Sequence, residues 1–192
     1  MDIDLDFSDR NKVLSLLKHI PASMKTGKSH NTGIYFQKIP INPLTGNAAI
    51  NYKEAESRGY FKMDFLNVSV YKDIINEEHL NKLIEQEPLW ELLLQDEFVN
   101  MLFHLHGHSS ILKKTKPTSI EQLAAVLAII RPAKRYLIDK DWTAIMNEVW
   151  IKPNDDEYYF KKAHAISYAI LIVVQMNIIC NHFLSQGAAN GV

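Results

Sequence analysis

The chain opens on Met-Asp-Ile-Asp-Leu-Asp-Phe, in which Asp2, Asp4 and Asp6 alternate with Ile3, Leu5 and Phe7. Alternation with period two predicts a strand that carries its acids on one face and its apolar residues on the other. Carboxylates lined up on one face repel each other unless a cation sits among them. Hard divalent ions such as Mg2+ take oxygen ligands, and a pair of them about 3.5–4 Å apart is a common phosphoryl-transfer device. The same pattern also suits an edge strand whose charged outer face blunts aggregation. On these seven residues both readings stand.

Composition narrows the classes. A chain of 192 residues makes one domain, or one domain with a lobe. With 47% hydrophobic and 22% charged residues it has the balance of a soluble globular protein with a real core. The formal net charge of −1 provides no global basic field, so a polyanionic partner would have to bind local basic patches. The single cysteine, Cys180, excludes an internal disulfide framework and suits a reducing cytoplasm. The acidic N-terminus does not have the character of a signal peptide. The apolar run 170–180 is interrupted by Gln175 and Asn177, which argues for a buried helix and against a membrane span.

In chain order, apolar Val13, Leu14, Leu16, Leu17 and Ile20 predict a helix over 10–20, capped by Ser8 or Asp9 and ended by Pro21. The polar run 25–30 contains Gly27-Lys28 but lacks the second-glycine spacing of a phosphate loop, and reads as an exposed turn. Stretches 33–39 and 48–52, with Pro43 and Gly46 between them, predict a β-hairpin. A mostly apolar strand over 59–66 has Asp64 set within it. If buried, that carboxylate needs a cation or hydrogen-bond donors; at a strand end it would face water.

From Val68 the pattern becomes helical, with helices over 77–87, closed by Pro88, and over 89–99. His104, His106 and His108 alternate in a way that invites a zinc reading. Gly107 inside the run, and the want of cysteines nearby, favour structural or solvent-facing histidines. Thr118 and Glu121 have capping-box spacing ahead of the apolar run 123–130, which stops at Arg131-Pro132. Arg131, Lys134 and Arg135 then cluster at a helix C-terminus, where they either complement its dipole or reach phosphate. The tail 187–192 reads as flexible.

These segments, in this order, resemble the C-family bacterial replicative DNA polymerases, the alpha subunit of DNA polymerase III. Asp2-Ile-Asp-Leu-Asp-Phe7 looks like the family's palm motif, with Met1 in the place of a proline. His30-Asn-Thr-Gly33 looks like its His-Ala-Gly-Gly step, and Phe61-Lys-Met-Asp-Phe-Leu66 like the Val-Lys-Phe-Asp-Phe-Leu motif. Phe103-His-Leu-His-Gly-His108 takes the place of a Phe-Gln-Leu-Glu-Ser segment. The stretch from Lys116 to Arg131-Pro132 looks like the fingers segment ending in Arg-Pro-Gly-Pro. Phe160-Lys-Lys-Ala-His-Ala-Ile-Ser-Tyr-Ala169 looks like Phe-Asn-Lys-Ser-His-Ser-Ala-Ala-Tyr-Ala.

The resemblance implies an α+β fold: a small nucleotidyltransferase-like β-sheet palm over 1–67, then a mainly helical fingers lobe over 68–186. It implies that Asp4, Asp6 and Asp64 are catalytic and hold two Mg2+ ions, with Asp2 an acid outside that triad. It also implies that Arg131, Lys162 and His164 approach nucleotide or DNA, and that the partners are primer–template DNA and dNTP, with no membrane. The setting implied is the cytoplasm of a bacterial or virus-infected bacterial cell.

The match has gaps. The family's upstream Gly-Ser element has no counterpart, its arginine-rich fingers segment is not evident over 140–158, and Arg-Pro-Gly-Pro has become Arg-Pro-Ala-Lys. Three functions follow: a DNA polymerase working alone or completed by a second polypeptide, a non-catalytic replication-associated binding protein, or an unrelated small α+β protein.

Overall fold

The computed structural model describes residues 3–152 and 160–189. The chain divides into two compact units, Met1–Asp73 and Ile74–Val192. The fold is mixed α+β, as the sequence predicts.

The first unit is built on four strands: β1 (Ile3–Phe7), β2 (Ile20–Ser23), β3 (Ser29–Tyr35) and β4 (Met63–Asn67). Their order across the sheet is β1-β4-β3-β2. β1 runs parallel to β4, and the other neighbours are antiparallel. One sheet face packs Phe7, Met63, Phe65 and Ile34 against Val13 and Leu14 of helix α1 (Arg10–Ser15). A second cluster gathers Ala22, Tyr35, Ile39 and Ala48 with Ala55 of helix α2 (Tyr52–Ser57).

Two sequence expectations need correction here. The helix predicted over 10–20 stops at Ser15, and Ile20–Ser23 is a strand. The residue before a proline avoids helical geometry, so Pro21 turns Ile20 extended and does not merely end a helix at it. Of the two caps the sequence offers, Asp9 serves, accepting from the Lys12 backbone N–H at 3.0 Å. The hairpin forms one segment earlier than predicted, between β2 and β3. The exposed 25–30 run is its turn, closed by Met24 N–H donating to Lys28 O at 2.8 Å, with Gly27 at φ 78°. In place of the predicted 33–39/48–52 pairing there is an isolated antiparallel bridge, Ile41 to Ala48, just beyond the first stretch. Pro40 and Pro43 have no N–H to give a ladder there.

The second unit contains α3 (Glu77–Glu85), α4 (Asp96–Met101), α5 (Ser109–Thr115), α6 (Ile120–Ile129), α7 (Trp142–Glu148) and α8 (Lys162–Ala189). The single helix expected over 89–99 is instead a 3-10 turn, Trp90–Leu94, followed by α4, with Gln95 extended between them. The cap of α6 is Ser119, one residue later than predicted: its hydroxyl accepts from the Gln122 N–H at 3.2 Å. Gln122 Oε1 reaches back past the cap to accept from the Thr118 N–H at 2.8 Å, a variant of the capping box. The stop at Arg131-Pro132 is where it was expected, with α6 ending at Ile129.

Residues Leu123 to Ile129 of α6 are all buried, so it is the central helix of its unit. Helix α8 is by length and composition long and apolar enough to cross a membrane. In this fold its Ala165, Ala169, Ile172, Val173 and Met176 lie in the same core as α6. Its two interrupting amides bond other segments. Asn177 Nδ2 donates to Leu83 O and Gln86 O at the end of α3, at 2.9 and 2.8 Å. Gln175 bridges Met101 O and the Phe103 N–H at 2.9 and 2.7 Å. These contacts satisfy carbonyls that a helix end leaves without an internal donor.

Candidate functional site

The parallel register of β1 on β4 makes Asp4 and Asp64 direct neighbours, and places Asp6 opposite Leu66. Residues directly opposite in a ladder share a face, and the period of two adds Asp6 to it. Strand pairing thus places Asp4, Asp6 and Asp64 on one sheet face, while Phe7, Met63 and Phe65 cover α1 on the other. Asp2 lies outside the described residues. Asp6 is exposed and Asp4 partly covered. Burial first, then the Asp6 charge, pushes the Tyr71 hydroxyl above its ordinary pKa.

Asp64 is held by several partners. Its side chain is 14% exposed, so the donors the sequence calls for are needed, and they are present. Thr32 donates its hydroxyl to Oδ1 at 2.7 Å, and Lys62 pairs with Oδ2. His30 Nδ1 stands 3.8 Å from Oδ1. That nitrogen accepts from the Gly33 N–H at 2.9 Å and the Thr32 N–H at 3.3 Å, so the ring is neutral with its proton on Nε2. Burial and then the Lys62 charge hold the His30 pKa below its ordinary value, outweighing the opposite pull of Asp64. Gly33 pairs with Asp64 across β3 and β4. A Cβ at Gly33 would meet Lys62 Cδ at 2.8 Å, so the missing side chain is what lets the lysine stem cross. Tyr35, two residues on, is fully buried, and its hydroxyl pKa is raised by burial, then by Asp64 and Glu56.

The three carboxylates are hard oxygen donors of the kind Mg2+ takes. Among the described residues, however, no three His, Cys, Asp or Glu side chains are gathered about a common point. The aspartates form a face, and the cation at Asp64 is Lys62.

The remaining predicted site residues lie in the second unit. Of the basic cluster after α6, two members serve the fold. Arg135 Nη2 donates to Ile130 O at 2.8 Å, closing the helix C-terminus. Lys134 is 4% exposed and donates to Glu148 O at 2.8 Å, with its pKa lowered chiefly by burial. The Arg131 guanidinium lies over the Phe160 ring at 5.3 Å, and its Nε is buried without a hydrogen-bond partner. His164 lies 6.1 Å from the Phe160 ring and 5.8 Å from that of Tyr168, one helical turn away. Arg131 and His164 are therefore brought to one aromatic group. Lys162 is exposed in the first turn of α8.

His104 adds to this group. The segment 103–107 is a run of turns and not the strand its alternation suggested, with His104 at φ 58° and Gly107 at φ 77°. The His104 ring sits 4.8 Å from Tyr168, and its pKa is lowered by burial and then by Arg131. His106 bonds Asn100 O at 3.0 Å, and His108 sits at the start of α5. Part of the Phe160 motif's approach, residues 153–159, lies outside the described residues.

Comparison with known proteins gives a distant similarity. The chain is 31% identical to DNA polymerase III subunit alpha of Aquifex aeolicus (strain VF5) over an alignment of 134 residues. That alignment takes in 57% of this chain and 12% of the relative, so the chain spans a small part of the protein it matches. No family model matches the chain. No solved structure matches it.

The sequence reading gave no role to Lys62 and Thr32, and it weighed His104 only as a zinc ligand or a structural histidine, not as a neighbour of Tyr168 and Arg131. Lys62 was within reach, because a residue two positions before Asp64 on a strand shares its face. Thr32 and His104 come to their partners through tertiary placement, which leaves no local signal.

Proposed function

We propose that this chain carries the palm-and-fingers chemistry of a DNA polymerase III alpha-like nucleotidyltransferase, working alone or completed by a second polypeptide. The observation that carries this reading is the β1–β4 register, which sets Asp4 beside Asp64 on one sheet face. The distant similarity to a DNA polymerase III subunit alpha agrees with it. In this reading Asp4, Asp6 and Asp64 would hold Mg2+, which would supply charge stabilisation for nucleotidyl transfer to a primer end. Thr32 fixes the orientation of the Asp64 carboxylate through its hydroxyl. Arg131, Lys162 and His164 supply positive or hydrogen-bonding groups to nucleotide phosphates or template, and Phe160 and Tyr168 offer aromatic surface beside them. Primer–template DNA and dNTP are the proposed partners, in the cytoplasm of a bacterial or virus-infected bacterial cell.

Calorimetric titration of dNTP in the presence of primer–template DNA and Mg2+ tests the reading. Wild-type protein should bind in a Mg2+-dependent manner, and the Asp4→Asn/Asp64→Asn variant should not. Absence of binding, or binding indifferent to both aspartates, would remove the enzyme reading and leave a non-catalytic replication-associated role.

A further inference from the structure

Lys62 stands just before β4, two positions from Asp64, and the two side chains, 15% and 14% exposed, form an ion pair. The lysine stem arrives over Gly33, where a Cβ would come within 2.8 Å of Lys62 Cδ. The other oxygen of Asp64 takes the Thr32 hydroxyl. His30, whose Nδ1 stands 3.8 Å from Asp64 Oδ1, presents there a nitrogen already used as an acceptor and brings no charge. Asp64 therefore has a resident cation, whose stem passes close over Gly33.

An ion bound to Asp64 would lie within a few ångströms of the lysine ammonium. In an enclosed site, with little water to screen them, the repulsion between a doubly charged ion and that ammonium is large. Resting on the polymerase-like reading of this face, we propose that Lys62 is the built-in counter-cation of Asp64, so that lysine and a divalent ion exclude each other there. The ion enters when Lys62 turns to another anion, such as the phosphate group of an incoming ligand. Phosphate binding and ion binding are then coupled in the same direction, each favouring the other.

The test is Mn2+ titration of the full chain without nucleotide, followed by electron paramagnetic resonance of the free ion. Lys62→Met keeps a stem over Gly33 and removes the charge, and should bind Mn2+ roughly tenfold more tightly than wild type. Lys62→Arg keeps the charge and should stay at the wild-type value. Lys62→Met/Asp64→Asn should lose the gain. The proposal is overturned if the Met variant, melting cooperatively, binds no more tightly than wild type. It is equally overturned if the double variant keeps the gain.

Should Lys62→Met fail to fold, the wild-type Lys62 Cε resonance gives the answer under Mg2+ titration. It must move as the ion binds, and an unmoved resonance at saturation overturns the proposal. The dNTP titration above is independent of this one. Exclusion without nucleotide binding would sink the polymerase reading alone, and nucleotide binding without exclusion would sink this proposal alone.

Discussion

At the scale of single residues, Asp64 is mostly covered and is held by the Thr32 hydroxyl and Lys62. A hydrogen bond to a charged group contributes about 1.5–3 kcal/mol, so Thr32→Val should destabilise the first unit by about 1–2 kcal/mol after allowing for residual water access. Urea denaturation followed by a probe in that unit measures it. His30 gives a pH dependence. Its folded pKa lies below the ordinary 6.5 because burial and Lys62 disfavour the imidazolium. The unfolded chain therefore takes the proton first as pH falls. Stability from this group is complete above pH 6.5 and is lost as pH drops from there through the lowered folded value. Protonating Nδ1 would also break its bonds from Gly33 and Thr32. An NMR titration should find His30 below 6.5, and a value at or above it would contradict this arrangement.

At the scale of elements, local chemistry was legible where one residue decides and illegible where pairing decides. Asp9 before α1 and the Arg131-Pro132 stop after α6 follow from capping and proline sterics alone. The α6 cap slipped by one residue because Thr118 and Ser119 are both competent, and the Gln122 side chain selects the arrangement. β2 was hidden inside an apparently amphipathic helix, since Ile20 continues the helical spacing of Leu16 and Leu17 although Pro21 forces it extended. Gln175 and Asn177 read from sequence as interruptions of an apolar run; their partners on other segments give them a purpose that period analysis cannot supply. Asn177→Leu should leave Leu83 O and Gln86 O without that donor and cost the second unit about 1–3 kcal/mol, readable as a lowered thermal midpoint. Unchanged stability would mean that these carbonyls find water or another donor.

At the scale of the whole molecule, the α+β class follows from a change of period along the chain, from two near the N-terminus to helical spacing after Val68. The neighbour relation of Asp4 and Asp64 could not be read that way. Sixty residues separate them, and a parallel pair needs a crossover whose course no local pattern records. The resemblance to a polymerase family named both aspartates, and the strand register gives a physical reason for them to belong together. The ion pair at Asp64 adds what the resemblance did not weigh, namely the Lys62 ammonium beside one of them.

The central claim is that this sheet face is where a metal–nucleotide complex binds. Paramagnetic broadening by Mn2+ with dNTP, read across the backbone amide resonances, tests it most directly. The account predicts losses centred on Asp4, Asp6, Lys62 and Asp64, abolished in Asp4→Asn/Asp64→Asn. Broadening centred elsewhere, or unchanged in that variant, would contradict it.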